Sequence, residues 1–212
     1  MELKCCVCRV QACRHEPGTQ PYPTFCPMAE GHDEALQRAR ACYDDAGTQQ
    51  LALAAARTEA AGYCRWPRVQ EVMDLARRLG ASHLGVAHCV GLACEADLLR
   101  QILESNGFRV STVCCKVGSV AKEGLGLLDE EKVHPGAFEA LCNPIGQAEL
   151  LKEAGTELNI AVGLCVGHDS LFFQHSSAPV TVLVAKDRVT GHNPIAALYT
   201  SHSYYRRLKN GR

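Results

Sequence analysis

The chain has no excess of positive charge. Lys and Arg number 22 against 23 Asp and Glu, and no basic block precedes the short Arg206–Lys209 end. The electrostatic footprint of a nucleic-acid binder is therefore missing. No apolar run approaches the ~18 residues that a membrane span requires, and the opening Met1-Glu2-Leu3-Lys4-Cys5-Cys6 lacks the apolar core of a signal peptide. These absences predict a cytoplasmic protein with neither nucleic acid nor membrane as partner. Several catalytic signatures are missing too: no G-x-x-x-x-G-K-[ST], no G-x-G-x-x-G opening a helix, no G-x-S-x-G elbow, and no thioredoxin-type Cys-x-x-Cys after a first strand.

What the chain does have is cysteine, 13 in 212 residues. A chain of this length buries most of its apolar surface without covalent staples, so the thiols need another explanation. An odd count that includes two vicinal pairs, Cys5-Cys6 and Cys114-Cys115, does not suit a simple disulfide framework. In a reducing cytosol such thiols stay free or bind metal.

Residues 1–31 carry no helical or strand period and are rich in Cys, Pro and Gly, the composition of an arm folded around a ligand. Residues 32–212 read as an α/β domain, mainly helical over 32–80 and alternating strand and helix over 81–205. Helices are expected over Asp33–Tyr43, Gln49–Gly62, Pro67–Leu79, Ala93–Asn106 and Pro144–Ala154, the last capped by Asn143. A short one over Leu171–His175 would be capped by Asp169 or Ser170. The expected strands are His83–Cys89, Arg109–Cys115, Leu158–Cys165 and Pro179–Ala185. Alternation of this kind favours a Rossmann-like parallel sheet flanked by helices.

Two cysteine sets carry the chemistry. In the arm, Cys5-x2-Cys8-x4-Cys13-x12-Cys26-Pro27 supplies four soft ligands, suited to tetrahedral zinc or to an iron–sulfur cluster. The second set emerges on aligning the chain with itself: His88-Cys89-Val90-Gly91, Cys114-Cys115-Lys116-Val117-Gly118 and Leu164-Cys165-Val166-Gly167 each end an apolar run with cysteine and turn at Val-Gly. In an open parallel sheet such ends share the edge where ligands bind. Cys89, Cys114 or Cys115, and Cys165 should meet there, joined by Cys142, whose position before a helix start favours a thiolate. His168 is a candidate proton donor or ligand, with an ordinary pKa of ~6.5; Lys116 and Lys186 could attract an anion. Cys42, Cys64 and Cys94 fall on helical stretches and read as core.

The Cys-x2-Cys-x4-Cys arm with its later Cys-Pro resembles a bacterial and archaeal cysteine-rich family, domain of unknown function 1847. So do Val113–Gly118, Cys142–Leu151, Gly163–Phe172 and Val184–Pro194, and the likeness runs from the first cysteine almost to Tyr205. The resemblance implies metal binding and names no reaction. Residues and resemblance together lead to an iron–sulfur protein. Cys5, Cys8, Cys13 and Cys26 would hold one centre, and Cys89, Cys115, Cys142 and Cys165 a 4Fe–4S-type or reactive site for redox or sulfur chemistry on a small molecule. Cys165, His168 and Lys116 are its candidate catalytic residues, with an electron donor as partner. Two alternatives stand beside it: a structural-zinc protein serving metal trafficking or interaction without turnover, and an enzyme with Cys165 as nucleophile. The oligomeric state is left open.

Overall fold

The computed structural model describes residues 3–29 and 32–210; the arm's expected limit at residue 31 lies outside them. The chain divides into two compact units, Met1–Arg57 and Thr58–Arg212.

The first unit contains single 3-10 turns at Cys5–Val7 and Ala12–Arg14, helix α1 (Asp33–Ala41) with a 3-10 turn after it, and most of α2 (Ala46–Gly62). Asp45 caps α2 by accepting the Thr48 N–H at 2.8 Å. Hydrophobic burial contributes little here. Among the unit's described residues only Ala12 and Ala54 are buried, while Leu3, Val7, Leu36 and Leu53 face solvent.

The second unit is built on four parallel strands, β1 (His83–His88), β2 (Arg109–Cys114), β3 (Leu158–Val162) and β4 (Val180–Val184), in the order β2-β1-β3-β4. Its class is α/β, Rossmann-like. Every residue of β1 and β3 is buried, as expected for central strands covered on both faces. On one face α3 (Arg68–Leu79) and α4 (Ala93–Ser105) pack Val72, Met73, Ala76, Ala96, Leu99 and Leu103 against Leu84, Val86, Leu158 and Ile160. On the other, α5 (Pro144–Glu153) and α6 (His168–His175) set Ala148, Leu151 and Phe172 against Ala87 and Ala161. The sheet reverses its direction of growth between β1 and β3, and at such a switch point the diverging connections leave a crevice beyond the strand ends.

Pairing brings the ends of three strands level: His88 lies beside Cys114 on one side and Val162 on the other. β1 and β3 stop before Cys89 and Cys165, and β2 ends on Cys114, one residue before Cys115; the ladder continues one step through Cys115 N–H to His88 O and Cys89 N–H to Val162 O. The Gly163 N–H carries it to Val184 O at 2.8 Å, and the chain turns away from the sheet there. The backbone takes φ +66°, and a Cβ there would lie 1.9 Å from Leu92 Cδ1, so only glycine fits. Helix α6 also begins earlier than expected. Its N-cap is Gly167 at φ +83°, while Asp169 accepts the Gly167 and Ser170 N–H groups from within the first turn, so neither Asp169 nor Ser170 is the cap.

Between β2 and α5 runs a long connection with 3-10 turns at Lys122–Leu125 and Asp129–Glu131. Salt bridges hold it in place of a core. The buried Lys132 ammonium reaches Glu123 at 2.7 Å, Asp129 at 2.6 Å and Ala137 O at 2.6 Å, and Lys122 pairs with Glu139. That pairing holds the Glu139 carboxyl down at about 2. A short helix α7 (Ile195–Tyr199) follows the last strand. Among the described residues no helix is long and apolar enough to cross a membrane.

Candidate functional site

Cys89, Cys115, Cys142 and Cys165 line one narrow space at the strand ends, together with His168, Gln147 and Leu164. Each arrives on a different support. Cys89 follows β1, Cys115 follows β2, Cys142 stands just before the Asn143 cap of α5, and Cys165 lies in the β3–α6 turn. Of the vicinal pair, Cys115 faces this space and is 3% exposed, whereas Cys114 packs at the margin of the core under α3 and α4. The space admits no water-sized sphere.

Hydrogen bonds tie the sulfurs to basic groups and backbone. Lys116 Nζ donates to Cys142 Sγ at 3.4 Å and to Ala140 O at 2.5 Å, Arg188 donates to Cys165 Sγ at 3.2 Å, and Val90 N–H to Cys115 Sγ at 3.3 Å. Lys186 stands close to Cys89: a Cβ placed on Gly91 would lie 3.6 Å from its Nζ and 4.0 Å from Cys89 Sγ. The Cys142 thiol is lowered to about 5, first by the hydrogen bond from Cys115 and then, against the opposing effect of burial, by Lys116 and His168. The Cys115 thiol moves up, because its proton is held in a hydrogen bond to Cys142 and because it is buried.

Two buried polar atoms at this spot have no partner. Gln147, fully buried, donates through Nε2 to Val113 O at 2.7 Å and His88 O at 3.2 Å, which leaves Oε1 unsatisfied; His168 Nδ1 is likewise unbonded. Orphaned buried polar atoms carry a desolvation cost and tend to mark places where a ligand or proton is handled.

Above the thiols lies a wider cavity of about 770 Å³, with Cys142, Cys165, His168, Lys116 and Arg188 in its floor and Leu125, Val133, Phe138 and Leu141 among its walls. The connection between β2 and α5 supplies most of that wall. Arg188, Gln147 and this cavity were not assigned roles from the sequence. A connection of nearly thirty residues in a compact domain was the available signal, since loops of that length are commonly functional.

Cys42, Cys64 and Cys94, expected in the core, are all exposed. α4 buries Ala96, Leu99 and Leu103, and position 94 lies off that face; Cys64 sits beyond the end of α2 at φ +54°.

In the first unit, Cys5, Cys8, Cys13 and Cys26 line a separate cavity of about 340 Å³ with Pro23 and Phe25, and Gln11 N–H donates to Cys8 Sγ at 3.3 Å. Gln11 pays for that turn with a left-handed φ of 52°. Cys6 is not part of the ring. Among the described residues no three His, Cys, Asp or Glu side chains are grouped so as to hold a single metal ion.

A family model described as "Protein of unknown function (DUF1847)" matches residues 26–183. The matched span is narrower than the resemblance read from the motifs: it takes in Cys26 and all four strand-end cysteines but not Cys5, Cys8, Cys13 or Arg188. An uncharacterised protein of the archaeon Methanocaldococcus jannaschii is 43% identical over 163 residues, 77% of this chain and 82% of the relative. The chain belongs to the DUF1847 family of proteins of unknown function.

Proposed function

We propose that the second unit performs thiolate chemistry, redox or sulfur-handling, on a small anionic molecule. One observation carries this reading: Cys89, Cys115, Cys142, Cys165 and His168 gather at the sheet's switch point beneath a cavity that presents Lys116 and Arg188. Cys142 is the reactive thiolate, since a sulfur ionised below neutral pH attacks or accepts without a separate base. Lys116 stabilises it, Arg188 and Cys165 flank the incoming group, and His168 Nδ1 is placed to take or give a proton.

The arm supports a metal centre in the first unit, and its donor set favours iron–sulfur. Four thiols and no carboxylate or imidazole line the cavity. An all-sulfur set of four suits a 4Fe–4S-type cluster, where each thiolate takes its own iron. A unit with two buried residues among those described would also gain order from such a ligand. Bound there, a cluster would supply one-electron transfer, with a cytosolic electron donor as its partner. At the strand ends the thiols close on one another, which favours free thiols over a second cluster.

Anaerobic purification with iron and acid-labile sulfide analysis, combined with iodoacetamide labelling at about pH 6, below the ordinary thiol range, tests both parts. The expected result is brown protein that loses iron in Cys13→Ser but keeps it in Cys142→Ser, with labelling at Cys142. Colourless protein holding one zinc would overturn the cluster. Iron lost in Cys142→Ser would overturn the free-thiol reading of the strand ends.

A further inference from the structure

We propose that Cys142 and Cys115 form a redox-active pair that reduces a small anionic disulfide, Cys142 attacking and Cys115 resolving; this rests on the reading of the strand-end thiols as reactive. The assignment of roles comes from access. Cys142 lines both the outer cavity and the narrow space beneath it, whereas Cys115 lines only the narrow space and is 3% exposed. A substrate in the outer cavity meets Cys142 first, and Cys115 reaches the same sulfur from the protein side.

The two thiols are tied together from both flanks. Asn143 N–H donates to Cys115 O at 2.7 Å, joining the residue after one cysteine to the backbone of the other. Lys116, the residue after Cys115, bonds Ala140 O and Cys142 Sγ. These links, and the narrow space that both sulfurs line, make positions 115 and 142 neighbours, the first condition of a disulfide between them. Cys165, the other thiol reaching the outer cavity, is occupied by Arg188.

The cavity's charge selects the substrate. Three cations, Lys116, Lys122 and Arg188, line it against two carboxylates; Glu139 is paired with Lys122, and Glu131, still charged, is held by the Leu128 N–H at 2.8 Å. Lys116 and Arg188 are left as the cations beside the reacting sulfurs, under apolar walls. A volume of about 770 Å³ is within the ordinary range for small-molecule sites.

In the first step the Cys142 thiolate attacks one sulfur of R–S–S–R, forming a mixed disulfide and expelling RS⁻. In the second, Cys115 attacks Cys142 Sγ, forming the Cys115–Cys142 disulfide and expelling the second RS⁻. The Cys115 proton leaves with a departing thiolate. The two thiols give up two electrons, the substrate disulfide gains them, and an external thiol of the same compartment restores the pair by the reverse exchange.

The test uses the reduced full chain under anaerobic conditions with glutathione disulfide, quenched with N-ethylmaleimide and mapped by peptide mass spectrometry. Wild-type protein and Cys114→Ser should both yield a Cys115–Cys142 disulfide. Cys115→Ser should stall with glutathione on Cys142, and the cationic disulfide cystamine should react roughly tenfold more slowly at low salt. A wild-type Cys142 joined to Cys89, Cys114 or Cys165, or left carrying glutathione, would overturn the pairing while leaving a reactive Cys142. Cystamine reacting as fast as glutathione disulfide would overturn the anion preference. No modification at Cys142 at all would overturn the underlying reading as well. The wild-type map decides the pairing even if a variant fails to fold.

Discussion

Cys142 owes its ionisation to residues that lie far from it in the chain. Cys115 donates a hydrogen bond to it and Lys116 adds positive charge, so the thiol is lowered to about 5. Lys116→Met should therefore raise the midpoint at which Cys142 ionises, read from thiolate ultraviolet absorbance as a difference from Cys142→Ser; an unmoved midpoint would remove Lys116 from the account. His83 provides a second test. Arg109, which has no acceptor, donates to His83 Nδ1 at 2.6 Å, so Nε2 carries the proton and faces Ser111 Oγ at 2.8 Å. Burial and then Arg109 lower the His83 pKa. The unfolded chain thus binds the proton first, and the contribution of neutral His83 is present above ~6.5 and lost as pH falls below that. The urea midpoint should drop across that window, and His83→Gln should flatten the slope.

At the scale of elements, the turn at Gly163 and the cap at Asn143 position two of the four sulfurs. Asn143 Oδ1 accepts the Gly146 N–H at 2.9 Å, and its loss in Asn143→Ala should cost about 1 kcal/mol in urea unfolding. Gly163→Ala should cost more, because it meets both a left-handed φ and the Leu92 side chain. Local chemistry made these elements legible. The apolar runs, Pro144 after Asn143 and the three strand ends at which cysteine is followed by a Val-Gly turn name the strands, the helices and the edge where the thiols meet. Strand limits ran past the observed ones because the cysteines prolong the apolar pattern while the ladder yields to the turn. The connection between β2 and α5 has no period to read. Its form depends on Lys132 finding Glu123 and Asp129, and Lys122 finding Glu139, so the outer cavity could not be drawn from the sequence. Cys94 is exposed because composition marks a helix without saying which face turns inward, and Cys42 and Cys64 are exposed past the ends of α1 and α2.

On the scale of the whole chain, the two units differ in how much apolar surface their described residues bury. The second has a sheet covered on both faces, whereas the first buries almost nothing and presents four thiols around one cavity. Cys13→Ser should accordingly release metal and speed hydrogen exchange over residues 3–29 while the strands keep their protection, and loss of protection throughout would show that the units do not fold independently. The strand-end site is where the family model and the geometry coincide, since Cys89, Cys115, Cys142 and Cys165 all fall within the matched residues. Its most direct test is the pH profile of iodoacetamide labelling at Cys142, resolved by peptide mass spectrometry in wild-type protein and in Cys115→Ser. Labelling that is half-maximal near pH 5 in the first, and displaced to higher pH in the second, is the predicted result. A Cys142 that labels only in the alkaline range of an ordinary thiol, in both proteins alike, would contradict it.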